Sequence, residues 1–114
     1  MKHLSPDEIQ TYLVQAKEAC HSCTGSACLD EAATYTSLLA YINVQLAQRK
    51  QIAHALMVIE MANKSSAAKA EAFMKASDEY RDYLICNSYA IALLEMVRNL
   101  RAKGKSDREE QLSS

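Results

Sequence analysis

Apolar residues recur along this chain at the three-four spacing of helices. Ile9, Tyr12, Leu13, Ala16 and Cys20 trace one stripe. The stripe begins after Ser5-Pro6-Asp7-Glu8, where Ser5 suits the cap, Pro6 the first helical position and Glu8 the third place of a capping box. It ends near Gly25, the local residue suited to a left-handed helix stop. These signals predict a first helix over about 6–23. Ser26 is placed to cap a second helix over about 28–63, with Asp30 and Glu31 near its positive end. Asn63-Lys64-Ser65-Ser66 is the break before a third helix over about 66–103. That break contains no Gly or Pro, so the alternative is one continuous helix of about 75 residues, roughly 110 Å long.

Charge decides for the hairpin. No Asp, Glu, Lys or Arg occurs from Ala32 to Gln48, or from Tyr83 to Leu94. A fold-back near Ser65 sets these two stretches side by side, and it leaves Arg49, Lys50, Glu60, Lys64, Lys69, Glu71, Lys75, Asp78, Glu79, Arg81 and Asp82 toward the tip. The fold class expected is all-α: a short N-terminal helix packed on the base of a long antiparallel two-helix hairpin. Residues 1–104 form one helical domain and 105–114 a flexible C-terminal tail.

The stripes locate the packing seams. Leu38, Leu39, Ile42, Leu46, Ala53, Leu56 and Met57 share one face of the second helix, and Phe73, Tyr80, Leu84, Ile91 and Leu94 one face of the third. Tyr41, Val44, Val58, Ile85, Tyr89, Leu93 and Met96 fall off those seams. A first helix of about 17 residues covers only part of that surplus, so a homodimer completing a larger bundle is expected, with these seven residues as the interaction surface. The alternative is a monomer whose apolar patch awaits a partner.

Composition strengthens the helical reading: two glycines, one proline and eighteen alanines leave little to punctuate strands or loops. Thirteen basic against fourteen acidic side chains, net charge -1, create no global field for nucleic acid or an anionic membrane. Met1 to Glu8 lack the apolar core of a secretion signal, and no stretch approaches the ~20 apolar residues of a membrane span. A cytoplasmic setting without membrane contact is therefore expected, where thiols are kept reduced.

Candidate chemistry concentrates in Cys20-His21-Ser22-Cys23-Thr24-Gly25-Ser26-Ala27-Cys28. Three thiols fall short of the four ligands of a structural zinc site. His21, next to Cys20 on a helix, diverges from it by about 100°. Cys86 sits some 20 Å or more above the hairpin base and reads as a small buried hydrophobe. No metal or cofactor is the favoured reading, with zinc or an iron-sulfur cluster on Cys20, Cys23 and Cys28 as the alternative. Unbonded thiols filling a tight helix–helix corner are the expected state, with a disulfide between Cys23 and Cys28, which flank the turn, or between Cys20 and Cys28 as the alternative.

Arg49 lies on the seam side and, by the hairpin register, opposite residues near 81, so a structural salt bridge to Asp78 or Asp82 is expected. The segment around His54 resembles the phosphoacceptor helix of histidine phosphotransfer domains in its one histidine. Ala55, Leu56, Met57 and Val58 stand where such domains place a lysine and a glycine, and a surface or partly packed histidine is the better reading. Arg98, Arg101, Lys103 and Lys105 form a basic run at the end of the third helix, countered by Asp107, Glu109 and Glu110.

No catalytic constellation emerges, so the chain reads as a non-enzymatic protein–protein interaction module: an adaptor, regulator or inhibitor with a protein partner. Its economy suits an accessory protein of a phage or mobile element. The alternative is a small metal- or redox-responsive protein using Cys20, Cys23 and Cys28. A weaker alternative is a nucleic-acid-binding subunit of a larger complex.

Overall fold

The computed structural model describes residues 3–113, and for residues 108 and 111–113 the backbone only. It is all-helical, with α1 over Pro6–Ser22, α2 over Ser26–Ala62, α3 over Ala67–Lys75 and α4 over Asp78–Ser113. Among the described residues no helix is long and apolar enough to cross a membrane.

The start of α1 forms for the reason its sequence gives. The Ser5 hydroxyl accepts from the Glu8 backbone N–H at 3.2 Å, and the Glu8 carboxylate accepts from the Ser5 N–H at 3.3 Å, with Pro6 in the first turn. The turn after α1 differs from expectation. Cys23, not Gly25, caps the end of α1 in extended backbone, and Gly25 opens α2 at φ 60°, ψ -135°. That backbone region is essentially restricted to glycine. Ser26 is consequently the first helical residue, and α2 has no side-chain cap.

The second break falls at Asn63–Ser66, with Lys64 at φ 66° and the Ser66 hydroxyl accepting from Lys69 N–H at 3.2 Å. The expected single third helix is two helices. The Ser77 hydroxyl donates to the Met74 carbonyl at the end of α3 and accepts from the Tyr80 N–H at 3.2 Å, capping the start of α4. Toward the other end, α4 continues through Ser113, past the helix end expected near 103. The Asp107 carboxylate accepts from the Gly25 N–H at 2.9 Å and ties this last part of α4 to the α1–α2 turn.

Packing is built along α2 and α4. Leu29 lies against Gly104, Thr36 accepts from Arg101, and Asn43 and Asn87 line one groove. α1 lies mainly on α4 and touches α2 less, while α3 lies mainly on α2. The molecule is elongated, 71 × 24 × 18 Å. One core cluster joins Ile9, Leu13 and Ala16 of α1, Ala32, Leu39 and Ile42 of α2, and Cys86, Ala90, Leu93, Val97 and Leu100 of α4.

That core corrects the seam read for the third helix. Phe73, Leu84 and Ile91 are exposed, whereas Cys86, Ala90, Leu93, Val97 and Leu100 point inward. The break at Ala76–Ser77 separates Phe73 from the α4 stripe, and α1 claims a side of α4 that a two-helix reading leaves bare.

Gly104, just past the expected helix end near 103, serves as a close-approach residue inside α4. A Cβ there would stand 2.7 Å from both Cγ and Cδ2 of Leu29 and 3.3 Å from the Gly25 carbonyl oxygen. Alanine gains about 1 kcal/mol in helix propensity but must displace Leu29 from a tight corner. Gly104→Ala is therefore expected to lower stability by about 1–2 kcal/mol in urea unfolding. A stabilised variant would show that the corner is loosely packed.

Candidate functional site

The cysteine-rich corner connects α1 to α2. Cys23 and Cys28 are joined as a disulfide with their Cα atoms 5.3 Å apart, and Cys28 is fully buried. Cys20 is a free thiol whose sulfur faces Met96, 3.6 Å from its carbonyl oxygen and 3.9 Å from its sulfur. Burial raises the Cys20 thiol above its ordinary range, opposed by the nearby Lys103 ammonium. Lys103 donates to the Cys20 carbonyl at 3.1 Å, so one lysine of α4 helps cap the end of α1. As paired, the corner offers one free sulfur. Among the described residues no group of three or more His, Cys, Asp or Glu side chains is placed to hold a metal ion. Cys86 is free and buried, and burial raises its thiol, with Arg49 lowering it and Asp82 raising it.

Arg49 performs a different task from the one expected. Its Nη2 donates to the Leu4 carbonyl, and the Gln45 side-chain oxygen accepts from the Leu4 N–H at 2.9 Å. Gln45 and Arg49, four apart on α2 and both buried, thus hold the two backbone polar groups of one residue. This clamp seats Leu4, itself buried, against the core cluster. Among the described residues Arg49 forms no ion pair with Asp78 or Asp82: Asp78 pairs with Arg81 at 4.0 Å, and Asp82 stands with Glu79 on the wall of a cleft of about 320 Å³ beside Arg49. The N-terminal segment supplies the acceptor that α4 was expected to supply. Sequence reasoning missed it because a backbone carbonyl leaves no mark in residue type.

The seven off-seam residues divide. Val44 and Val58 are exposed, at 58% and 66%. Tyr41, Ile85, Tyr89 and Met96 are half-buried, Met96 beneath Cys20. Leu93 is fully buried in the chain's own core and is unavailable as an interaction residue, because α1 lies over that side of α4.

Other exposed apolar residues were missed, and they concentrate in the half of the molecule that α1 does not reach. There the buried residues are small or few, Ala53, Ala70 and Met74, while Val58, Ile59, Met61 and Phe73 remain exposed, and Ile52, also exposed, stands at the boundary in the cleft it shares with Pro6 of α1. The usual order of large inside and small outside is reversed. A signal existed in the alanines at 53, 55, 62, 67, 68, 70, 72 and 76, since helices packed through alanine have too little interior volume for isoleucine or phenylalanine.

The basic run of α4 is partly engaged within the chain. Arg98 lies 3.9 Å from Glu95, Arg101 donates to the Thr36 hydroxyl at 3.0 Å, and Lys103 is bound to the Cys20 carbonyl. His54 is exposed on α2. Comparison with protein families, curated proteins and solved structures returns no match for this chain.

Proposed function

We propose that this chain is a non-enzymatic helical interaction module, an adaptor, regulator or inhibitor that acts by presenting apolar helix faces to a protein partner. The accompanying architecture is α1 laid on the base of an antiparallel hairpin made by α2 and α3–α4, with a larger bundle completed by dimerisation. The observation that carries the reading is the inverted tip. Five large apolar side chains, Ile52, Val58, Ile59, Met61 and Phe73, stand exposed around an interior of two alanines and a methionine.

Such exposure keeps apolar area in water, and each residue so placed forgoes about 1–2 kcal/mol of burial. Exposed apolar residues gathered at one end of a molecule mark candidate sites of macromolecular contact, here on both flanks of the buried Ala53 stripe. Charges of both signs lie among them, including the exposed Lys75–Glu71 pair at 2.9 Å, which suits the polar rim of a protein interface better than the one-signed surface of a nucleic-acid site.

The test is paired affinity capture from the native source with the wild-type chain and with Val58→Asp/Phe73→Asp. Both positions are more than half exposed, so the variant is expected to keep its helical signal and melting behaviour. A protein retained by wild type and lost at least tenfold by the variant supports the reading. Identical capture by both chains contradicts it.

A further inference from the structure

Resting on the interaction-module reading, we propose that the groove between α2 and α4 on the side away from α1 is the docking site for a second copy of this chain. The two copies are related by a two-fold axis that sets α2 of one against α4 of the other.

The groove is lined by Leu39, Asn43, Asn87, Ala90, Ile91 and Leu94. Its position follows from helix geometry: Asn87 and Met96 are nine residues apart, about 180° around α4, and Met96 is the residue that meets Cys20 of α1. α1 therefore covers one side of the α2–α4 pair and leaves this one open. Ile91 is 63% exposed there, and Leu84, seven residues before it on the same face, is exposed as well.

Three observations point to a copy of the chain as occupant. First, the groove is bounded by the two stretches without charge, 32–48 and 83–94. A charged partner would lose hydration there without gaining a counterion, whereas the groove's own neutral surface loses nothing of the kind. Second, each wall carries one amide, Asn43 on α2 and Asn87 on α4. An amide both donates and accepts, so each satisfies the other across a two-fold axis. A polar pair inside an apolar seam also fixes register, as a buried asparagine does in coiled coils.

Third, the walls differ in relief. Around Asn43 the exposed residues one turn away are Ala40 and Ala47, with Val44 at their outer edge, while α4 offers the exposed Ile91 and the half-buried Leu94. Large residues of α4 fit over small residues of α2, which favours α2 against the partner's α4 over like against like. The result is a four-helix core of antiparallel neighbours with an α1 on each outer side and both tips at one end. The strip is roughly 25 Å long and two helix widths across, a footprint of about 500 Å² per partner, at the low end of specific interfaces.

The experiment is sedimentation velocity of the full chain from 1 to 100 μM. A mass twice 12.7 kDa is expected, with Ile91→Asp weakening the dimer at least 100-fold while retaining the helical signal. Val58→Asp, at the tip, should leave the dimer unchanged. A monomeric wild type at 100 μM overturns the inference, as does a dimer unaffected by Ile91→Asp. If Ile91→Asp fails to fold, Ala40→Glu replaces it with the same expected and overturning results. Mixing Asn43→Cys with Asn87→Cys chains under oxidation tests the pairing: mixed cross-links in excess of like ones support it, and like cross-links alone overturn it. Capture through the tip is read separately, so a monomer that still binds its partner rejects the dimer without rejecting the module.

Discussion

Leu93→Asp is expected to abolish cooperative folding at 25 °C, whereas Ile91→Asp, two residues away, leaves the helical fold standing. Leu93 is fully buried between α1, α2 and α4. Truncation of such a residue to alanine costs about 2–5 kcal/mol, and an unpaired carboxylate in its place adds several more. The sum, about 5–10 kcal/mol, is comparable to the ~5–15 kcal/mol by which a domain of this size is stable. Ile91 points into the open groove, and its replacement should change the stability of the single chain by less than about 1 kcal/mol. Far-UV circular dichroism across a urea titration reads both. A folded Leu93→Asp chain would mean that the inward face of α4 is wrongly assigned.

Reduction of the Cys23–Cys28 bond is expected to lower stability by about 2 kcal/mol. It closes a loop of only six residues, for which the chain-entropy relation gives roughly that value. For a chain of 114 residues this corresponds to about 10 °C in Tm. Thermal melts with and without a strong reductant measure it, and Cys23→Ala/Cys28→Ala should match the reduced form and ignore the reductant. Equal melting of the oxidised and reduced wild type would show that the corner is held by packing alone. Cys20 adds a pH dependence to the same corner. Burial raises its thiol, so its contribution is fully present below the ordinary thiol range and is lost as pH rises through the raised value.

The base of the molecule was legible in the chain wherever a residue's role is local. Ser5, Pro6 and Glu8 announce the start of α1 because a capping box is made among neighbours. The break at Asn63–Ser66 was read from its polar run alone; the Ser66 cap there and the similar signature in Ser77-Asp78-Glu79 at the start of α4 went unread. The rotation of α4 was not legible. Phe73, Leu84 and Ile91 form a good stripe on their own, and it takes α2 and α1 together to turn Leu93, Val97 and Leu100 inward instead. The function of Gly104 was hidden for a related reason, because its neighbour Leu29 is 75 positions away in the chain.

Among the candidate sites, proximity in sequence again separated what was readable. Cys23 and Cys28 flank a turn, so their nearness follows from chain geometry, but unbonded thiols were the expected state and the bond between them was not read from the sequence. Arg49 was identified as a buried charge needing a partner, but Leu4 competes with Asp82 for it by offering a carbonyl anchored through Gln45. The exposed tip was obscured by assuming that the seam continues at full width. The alanines at 53 and 70 narrow it and turn the larger side chains outward.

The central claim is that the exposed tip is a protein-binding surface, and carbene footprinting tests it most directly. The purified chain, and the same chain recovered under native conditions from its source, would be labelled and mapped at Ile52, Val58, Ile59 and Phe73. The account predicts strong labelling of all four in the purified chain and at least threefold protection in the recovered one, with Val14 on α1, also exposed, labelled equally in both. Equal labelling of the tip in the two samples would contradict the claim.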